Sequence, residues 1–335
     1  MYFLLGVLGA GVLGIGDVGE YLGKPVGWWE GQEAKELGDR VLLWQTDEGW
    51  WPKNVDTSAE RVASGVERLR GTFDNGAGRD EMRFLGRLYG VTGEERYARA
   101  FSRGLVCVLG SQYENGGWPQ SPDPGAGYGR HITFNDGTMI GLMELLGEVR
   151  EREEYGFVGE ECRGEIGEAL ARGLECILRC QVREAGELTV WCAQHDRESL
   201  EPVGARSYEL ASLSGGESAG VLLYLMERGP RTEAVCAAVE AGVLWYARAK
   251  ISGWRQVVLD GDKRLVADAA APGIWARFYE LGSGRPFFCG RDGVKRYALS
   301  EIEAERRNGY AWYGGWGREV MAGYVCWTKR VKEGE

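Results

Sequence analysis

Six short segments of the chain carry charged side chains outside the apolar periodicity of the sequence, and five of the six also carry aromatic ones. Aromatic faces cover the apolar faces of sugar rings, while carboxylate and guanidinium groups fix the orientation of a polar ligand. The mixture is therefore typical of a cleft that binds a carbohydrate. The segments are residues 71–77, 131–136, 191–196, 205–209, 275–280 and 290–293.

The charge of the chain limits the ligands that such a cleft can take. The 335 residues carry a formal net charge of −10, and the sequence has no Lys/Arg run of the kind that follows a phosphate backbone. We therefore do not expect a nucleic acid partner. The same charge repels a polyanionic sugar, so an enzyme for such a substrate would need local Arg and Lys side chains or a bridging divalent cation.

Composition narrows the class of protein further. With 44% hydrophobic and 27% charged residues, the chain is expected to be globular, and it lacks the ~18 consecutive apolar residues that a membrane helix needs. Eight cysteines without CxxC pairs and only two histidines argue against a zinc site. Cys176 and Cys180 lie one helical turn apart, which favours core packing over a disulfide. We expect no membrane partner and a monomer.

Helical periodicity predicts the elements that must position the six segments. Three helical stretches run into a Gln, then a turn with Gly and Trp: Gln45 leads to Trp51, Gln112 to Trp118, and Gln181 to Trp191. The three Gln residues are 67 and 69 residues apart, about the length of two helices with their connections. Repeated helical hairpins must pack against their neighbours. We predict an all-α fold closed into an (α/α) toroid, with long loops forming a cleft at one end.

Through nine motifs in order, over about residues 28–316, the chain resembles the pectate lyases of polysaccharide lyase family 10. The resemblance implies an (α/α) toroid and calcium-dependent β-elimination of polygalacturonate. The motifs are Trp51–Asn54, Thr72–Ala77, Asn115–Gln120, Ile132–Asp136, Trp191–Asp196, Ala205–Glu209, Ser212–Gly215, Trp275–Glu280 and Glu305–Trp312.

The resemblance also implies roles for particular residues. Asp74 and Asp136 match the calcium ligands of the family, and Arg206 matches its proposed base. The residues implied or expected to bind substrate are Asn75, Arg277, Arg291, Lys53 and Trp118. β-Elimination removes the proton on C5 of a uronate, which is difficult unless the developing negative charge is neutralised. Calcium and guanidinium forks are suited to that task.

Arg206 is an uncommon choice for a base. Its pKa of about 12.5 or more makes deprotonation near pH 8 cost about 6 kcal/mol, at 1.36 kcal/mol per unit. The alternative is that Arg206 stabilises the enolate while hydroxide or another group removes the proton. A third interpretation is a local salt bridge with Glu209 at the start of a helix.

Other residues carry alternatives of the same kind. Asp74 could cap a helix, residues 291–293 could form a simple turn, and Trp118 could be a structural plug. The histidines, His131 and His195, are expected to be structural. The chain also departs from the family at Gly137, where a second acidic or amide residue is usual, and at residues 78–82, which replace a run of Thr. We expect these changes to alter calcium affinity and the entry into the following helix.

Three other functions are alternatives for a chain with this sequence. A terpene cyclase would need an Asp-rich cluster that the sequence lacks. A glycoside hydrolase would need two opposed carboxylates, such as Asp74 and Asp136. A non-catalytic pectin-binding module would follow if the departures abolished activity. Because pectin lies outside cells, we expect a secreted or periplasmic protein. Residues 1–20 form an apolar segment that is a signal remnant or a first helix, and residues 21–335 form one catalytic domain.

Overall fold

A computed structural model describes residues 18–61 and 69–333. Most of the predicted N-terminal segment, residues 1–17, lies outside them, and Val18–Tyr21 is a short 3₁₀ turn. Within the described part, every helix falls short of the length and apolar character that a bilayer span requires. The α-helices are α1 Gln32–Trp44, α2 Arg79–Thr92, α3 Glu95–Gly110, α4 Thr138–Glu151, α5 Glu160–Cys180, α6 Glu217–Arg228, α7 Glu233–Ala249, α8 Ala304–Gly309 and α9 Trp316–Glu333.

The helices follow the apolar spacing of the sequence. In α3, Tyr97, Phe101, Leu105 and Val108 are buried, and their spacing of three to four residues places them on one face. The start of α2 is fixed by Gly78, whose backbone N–H donates to the carboxylate of Glu81 at 2.8 Å. This helix entry lies where the sequence departs from the family.

The Gln residues of the repeat have the same role in each copy. The side-chain amide of Gln45 donates to the carbonyls of Gly49 and Ala100, both at 2.8 Å. Gln112 donates in the same way to Gly116 and Ala169, at 2.9 and 2.8 Å. Gln181 donates to Thr189 and Ala238, at 2.9 and 3.0 Å. Each amide therefore closes its own turn and joins that turn to a helix further along the chain.

In the first two of these turns, a glycine closely approaches the second helix that follows it along the chain. Gly49 and Gly116 both have a φ of +91°, a backbone conformation that favours glycine. A Cβ atom on Gly49 would lie 2.8 Å from the carbonyl oxygen of Arg103, and one on Gly116 would overlap the carbonyl of Arg172. Gly49 and Gly116 are thus required both by the turn and by the packing of helix against turn, whereas Gly186 of the third copy has a φ of +88° and open space around it.

The chain divides into two compact units. Unit 1 comprises residues 1–111, 121–123 and 145–166, and unit 2 comprises residues 112–120, 124–144 and 167–335. The prediction of a single catalytic domain over residues 21–335 stays a prediction. Within unit 1, α2 and α3 pack together; within unit 2, α6 packs on α7 and α9.

Short antiparallel strands connect the loops of unit 2. β1 pairs with β4, and β4 with β5; the other pairs are β6 with β10, β9 with β13, β11 with β12, β2 with β3, and β7 with β8. Their bounds are β1 Ile132–Thr133, β2 Arg183–Glu184, β3 Glu187–Leu188, β4 Gln194–His195, β5 Pro202–Val203, β6 Leu213–Ser214, β7 Trp254–Leu259, β8 Asp262–Ala267, β9 Trp275–Ala276, β10 Phe278–Tyr279, β11 Phe288–Cys289, β12 Lys295–Arg296 and β13 Tyr313–Gly314.

The longest of these pairs, the β7–β8 hairpin, is a feature that the helical prediction omitted. Its two-residue turn, Asp260 and Gly261, has φ angles of +52° and +77°, as a twisted hairpin turn requires. Lys263 attaches the hairpin to α8 and the residues after it. Its backbone N–H donates to Oδ1 of Asn308 at 2.7 Å, and its Nζ donates to the carbonyl of Tyr310 at 3.0 Å.

Candidate active site

In unit 1, Asp74 lies in a 3₁₀ turn, Asp74–Gly76, that precedes α2. The carboxylate is buried and forms an ion pair with Nζ of Lys53. The neighbouring Asn75 has a φ of +53°, a left-handed conformation that short polar side chains tolerate. Asp74 does not cap α2, since Gly78 occupies the cap position.

Unit 2 contains a second turn of the same design, Asn135–Gly137, directly before α4. Here Asp136 has the positive φ, +51°. Nδ2 of Asn135 donates to Oδ2 of Asp136 at 2.7 Å, and the Asp136 side chain is 35% exposed. Gly137 has a φ of +67°, and a Cβ atom there would meet nothing within 4 Å, so the departure from the family costs no packing here. This turn thus carries a partly exposed carboxylate.

Arg277 connects this turn to the rest of unit 2. It lies between β9 and β10, and its backbone N–H donates to the carbonyl of Trp312 at 2.8 Å. The buried guanidinium donates from Nη2 to Oδ1 of Asn135 at 3.2 Å and lies 3.6 Å from Oδ1 of Asp136. The same Nη2 forms an ion pair with the carboxylate of Glu217. The structure therefore brings Arg277 and Asp136 together, while the substrate and calcium roles that the resemblance implies for them stay predictions.

Glu217 is a residue that the sequence analysis missed. Its buried carboxylate at the start of α6 is the counterion of Arg277. Burial by itself would lower the pKa of Arg277, but the charge of Glu217, followed by Tyr310 and Asp136, raises it above its usual value. The signal in the sequence was an acidic residue two positions after the Ser212–Gly215 motif.

Arg206 lies in a turn rather than at the start of a helix. Its Nε donates to Oε2 of Glu209 at 2.7 Å, and its Nη2 donates to Oε1. The predicted salt bridge is therefore present. The guanidinium also lies 4.9 Å from the ring centroid of Tyr208 and 5.9 Å from that of Tyr310. Because Tyr310 also contacts Arg277, at 4.7 Å, this ring joins two of the predicted arginines.

The surroundings of Arg206 favour its charged form. The hydrogen bond that it donates to Glu209 is the largest cause that raises the pKa of Arg206, and it outweighs burial. For Glu209, burial would raise the pKa, but the bonds from Arg206 and from the hydroxyl of Tyr310 lower it. The pair is thus a guanidinium and a carboxylate, both charged at neutral pH.

Arg291 is the most exposed of the predicted arginines. It lies in a turn that closes with a hydrogen bond of 3.2 Å from the N–H of Gly293 to the carbonyl of Gly290, so the simple-turn interpretation holds for its backbone. Its guanidinium bonds to the carboxylate of Glu305 and lies 5.8 Å from the ring centroid of Tyr208. Arg206 and Arg291 therefore border the same aromatic ring.

The remaining predicted side chains have packing roles. Trp118 is fully buried and packs where Gly173 leaves room for it, which supports the structural-plug alternative over direct contact with a sugar. His195 is also fully buried; its Nε2 accepts from the N–H of Cys192 at 3.0 Å, and its Nδ1 bonds to the carbonyl of Leu200 at 2.8 Å. His131 lies 3.5 Å from the carboxylate of Asp196. The structural roles expected of both histidines agree with these contacts.

Comparison with known proteins identifies the family. The model of the family described as pectic acid lyase matches residues 45–321. The chain belongs to this family of pectic acid lyases. Two similar solved structures are family 10 polysaccharide lyases from Cellvibrio cellulosa. One is 36% identical with a TM-score of 0.80, covering 90% of this chain and 96% of that one. The other, an aspartate-to-alanine variant in complex with trigalacturonic acid, is 36% identical with a TM-score of 0.79, covering 86% and 91%.

Membership of the pectic acid lyases confirms two predictions. The similarity to the solved lyases confirms the all-α fold of the (α/α) toroid class, and the family confirms that the chain is a polysaccharide lyase. No match was found among curated proteins. The roles of individual side chains are tested by none of these comparisons and stay predictions.

The predicted calcium ligands of this pectic acid lyase carry the type of oxygen atom that calcium binds. Asp74 and Asp136 offer carboxylate oxygens from two turns of the same design, and calcium takes six to eight oxygen ligands. Among residues 18–61 and 69–333, no group of three or more His, Cys, Asp and Glu side chains is arranged to hold a metal.

Proposed function

We propose that this lyase cleaves polygalacturonate by calcium-assisted β-elimination, giving 4,5-unsaturated oligogalacturonides. The observation that carries the proposal is the contact of the buried guanidinium of Arg277 with the partly exposed carboxylate of Asp136, beside Arg206. The family and the trigalacturonic acid complex of a similar lyase support an acidic galacturonan as substrate.

Arg277 and Arg291 bind uronate carboxylates in this proposal. Guanidinium forks match a carboxylate with two parallel hydrogen bonds, and Arg277 is already fixed in place by Asn135 and Glu217. In unit 1, Lys53 and Asn75 are the residues proposed to bind substrate. Calcium would supply further neutralisation of the uronate carboxylate, with Asp136 as its proposed ligand in unit 2 and Asp74 as its proposed ligand in unit 1.

Arg206 acts in this proposal as the charged hydrogen-bond donor that stabilises the enolate formed when the C5 proton leaves. Glu209 supports this role, because it raises the pKa of Arg206 and so disfavours the neutral form that a base requires. Hydroxide then removes the C5 proton, which predicts a rate that rises towards alkaline pH. The glycosidic oxygen on C4 departs as the double bond forms.

The test follows the ultraviolet absorbance of unsaturated uronides while the purified protein acts on polygalacturonate at mildly alkaline pH. The assay is run with calcium and then with a chelator. We expect calcium-dependent absorbance that Arg206→Ala abolishes. Arg255→Ala is a matched control, because Arg255 is an exposed arginine in an ion pair with Asp268 on the β7–β8 hairpin.

The other outcomes point to other functions. Reducing ends without absorbance would replace elimination with hydrolysis. Neither product, with binding of polygalacturonate retained, would make the chain a binding module. We further propose that the protein works as a monomer outside the cytoplasm, where pectin is found; size measurement and cell fractionation test these two points.

A further inference from the structure

The carboxylate of Glu305 lies between two guanidinium groups. Arg291 donates from Nε to Oε2 at 3.0 Å and from Nη2 to Oε1 at 2.9 Å. Arg306 donates from Nε to Oε2 at 2.8 Å and from Nη2 to Oε1. One carboxylate thus accepts two bidentate forks. The bonds from Arg306 and then from Arg291 hold the pKa of Glu305 at about 2.

This carboxylate differs from the other acidic partners of the arginines in unit 2. The side chains of Glu209 and Glu217 are 4% and 5% exposed, whereas that of Glu305 is 55% exposed. Exposed ion pairs contribute little to stability, so the bonds to Glu305 can be exchanged for similar bonds at little cost. Arg306, in contrast, is mostly buried, so its fork keeps its place when the carboxylate leaves.

The two forks also border the residue proposed to stabilise the enolate. The ring centroid of Tyr208 lies 4.7 Å from the guanidinium of Arg306, 4.9 Å from that of Arg206 and 5.8 Å from that of Arg291. Three guanidinium groups around one buried ring form a site for a polyanion once the Glu305 carboxylate moves away.

We propose that Arg291 and Arg306 together form a subsite for one uronate carboxylate, which Glu305 occupies until substrate displaces it. The inference rests on the proposed function, since it takes an oligogalacturonate as ligand. Exchange of one carboxylate for another keeps the hydrogen bonds of both forks. Glu305 therefore acts as an internal competitor that lowers the affinity for substrate, and the subsite selects a free acid over a methyl ester.

Binding of trigalacturonate, measured by titration calorimetry with a chelator present, tests the competitor. We expect Glu305→Gln to bind about two- to fivefold more tightly than the wild type, the range that the loss of an exposed ion pair allows. Glu168→Gln is the matched control: it removes the same charge from an exposed carboxylate paired with Arg172 on α5. Its affinity should stay at the wild-type value.

A second pair of measurements tests the subsite itself. Arg306→Ala should weaken the binding of trigalacturonate, and in the double variant with Glu305→Gln it should remove the gain in affinity. Arg306→Lys keeps the charge but loses the two parallel hydrogen bonds, so it should restore the affinity lost in Arg306→Ala only in part. Circular dichroism checks that each variant folds. A fully methyl-esterified trisaccharide should bind both Glu305→Gln and the wild type equally.

Equal affinity of Glu305→Gln and Glu168→Gln for trigalacturonate would overturn the inference. It would also be overturned if Glu305→Gln bound the methyl ester more tightly than the wild type does, by the same factor as it does the free acid. Because binding is measured without calcium and without turnover, these failures differ from a failure of the lyase reaction. That failure would appear as absent ultraviolet absorbance in the wild type.

Discussion

The hydroxyl of Tyr310 donates a hydrogen bond of 2.6 Å to Oε1 of Glu209, the carboxylate that also binds the guanidinium of Arg206. The backbone of Tyr310 is in turn bound by the β7–β8 hairpin, because Nζ of Lys263 donates to its carbonyl. Burial, the first of several causes, raises the pKa of Tyr310, so its hydroxyl keeps the proton that this bond needs. Arg206 is thus oriented through a chain of two side chains.

Glu209→Gln separates the two roles of Arg206. Loss of the carboxylate charge lowers the pKa of Arg206. If Arg206 were the base, it would then reach its neutral form at lower pH, and kcat would begin to rise at a pH closer to 7. We expect instead that kcat falls by about tenfold to a hundredfold with no such movement, as when an oriented donor to an oxyanion is lost. The measurement is kcat against pH from about 6 to about 10, the range in which enolate stabilisation and base catalysis would differ.

Tyr310→Phe accompanies this variant, since it removes only the hydroxyl. A smaller fall in kcat than in Glu209→Gln is expected, with KM little changed. A gain of activity near neutral pH in Glu209→Gln would return Arg206 to the role of base.

Glu217→Gln should destabilise unit 2, because it removes the buried counterion of Arg277 and leaves the guanidinium only the partly exposed carboxylate of Asp136, at 3.6 Å. Breaking a buried ion pair from one side costs about 3–5 kcal/mol, and we expect a loss of that order in the free energy of unfolding. Urea denaturation measures it. Glu168→Gln again serves as control, since its ion pair is exposed. A loss below about 1 kcal/mol, typical of surface pairs, would contradict this account.

His195 should make stability depend on pH. Burial lowers its pKa from 6.5 to about 4, so the folded protein binds this proton less readily than the unfolded chain does. The contribution is complete above about pH 6.5 and is lost as the pH falls towards 4. It amounts to about 3 kcal/mol at 1.36 kcal/mol per unit. Denaturation at several pH values should show a shallower slope in His195→Gln; an unchanged slope would exclude His195 as the cause.

Gly116→Ala should destabilise the protein by more than about 1 kcal/mol, because Cβ would overlap the carbonyl of Arg172 and the φ of +91° disfavours alanine. Gly164→Ala provides the contrast. Gly164 lies inside α5 with nothing within 4 Å of a Cβ position, so alanine should be neutral or stabilise by up to about 1 kcal/mol. Thermal unfolding of the two variants compares them directly.

Much of the architecture was predictable because it depends on local rules. The helices followed apolar spacing, and the repeat of Gln45, Gln112 and Gln181 marked three turns that use one pattern of hydrogen bonds. The β7–β8 hairpin was omitted, although its Asp260–Gly261 turn was a local signal.

For the candidate site, the sequence indicated several of the charged residues, but it did not indicate the residues with which they form ion pairs. Arg277 and Asp136 were assigned from motifs, and the structure places them 3.6 Å apart. Glu217 was missed because it lies 60 residues from the guanidinium that it binds, and no sequence spacing links the two. Arg306 was missed because it lies among other charged residues, where nothing in the sequence distinguishes it from a solvated surface arginine. Trp118 was assigned by type, and type alone does not decide whether an indole faces a cleft or the interior.

The glutamine contacts also bear on how the chain is made. Each of the three amides binds a carbonyl that comes 55 or 57 residues later. At a synthesis rate of about 5–20 residues per second, the partner emerges from the ribosome several seconds after the glutamine. Each glutamine can therefore form its second hydrogen bond only after the next two helices have been synthesised.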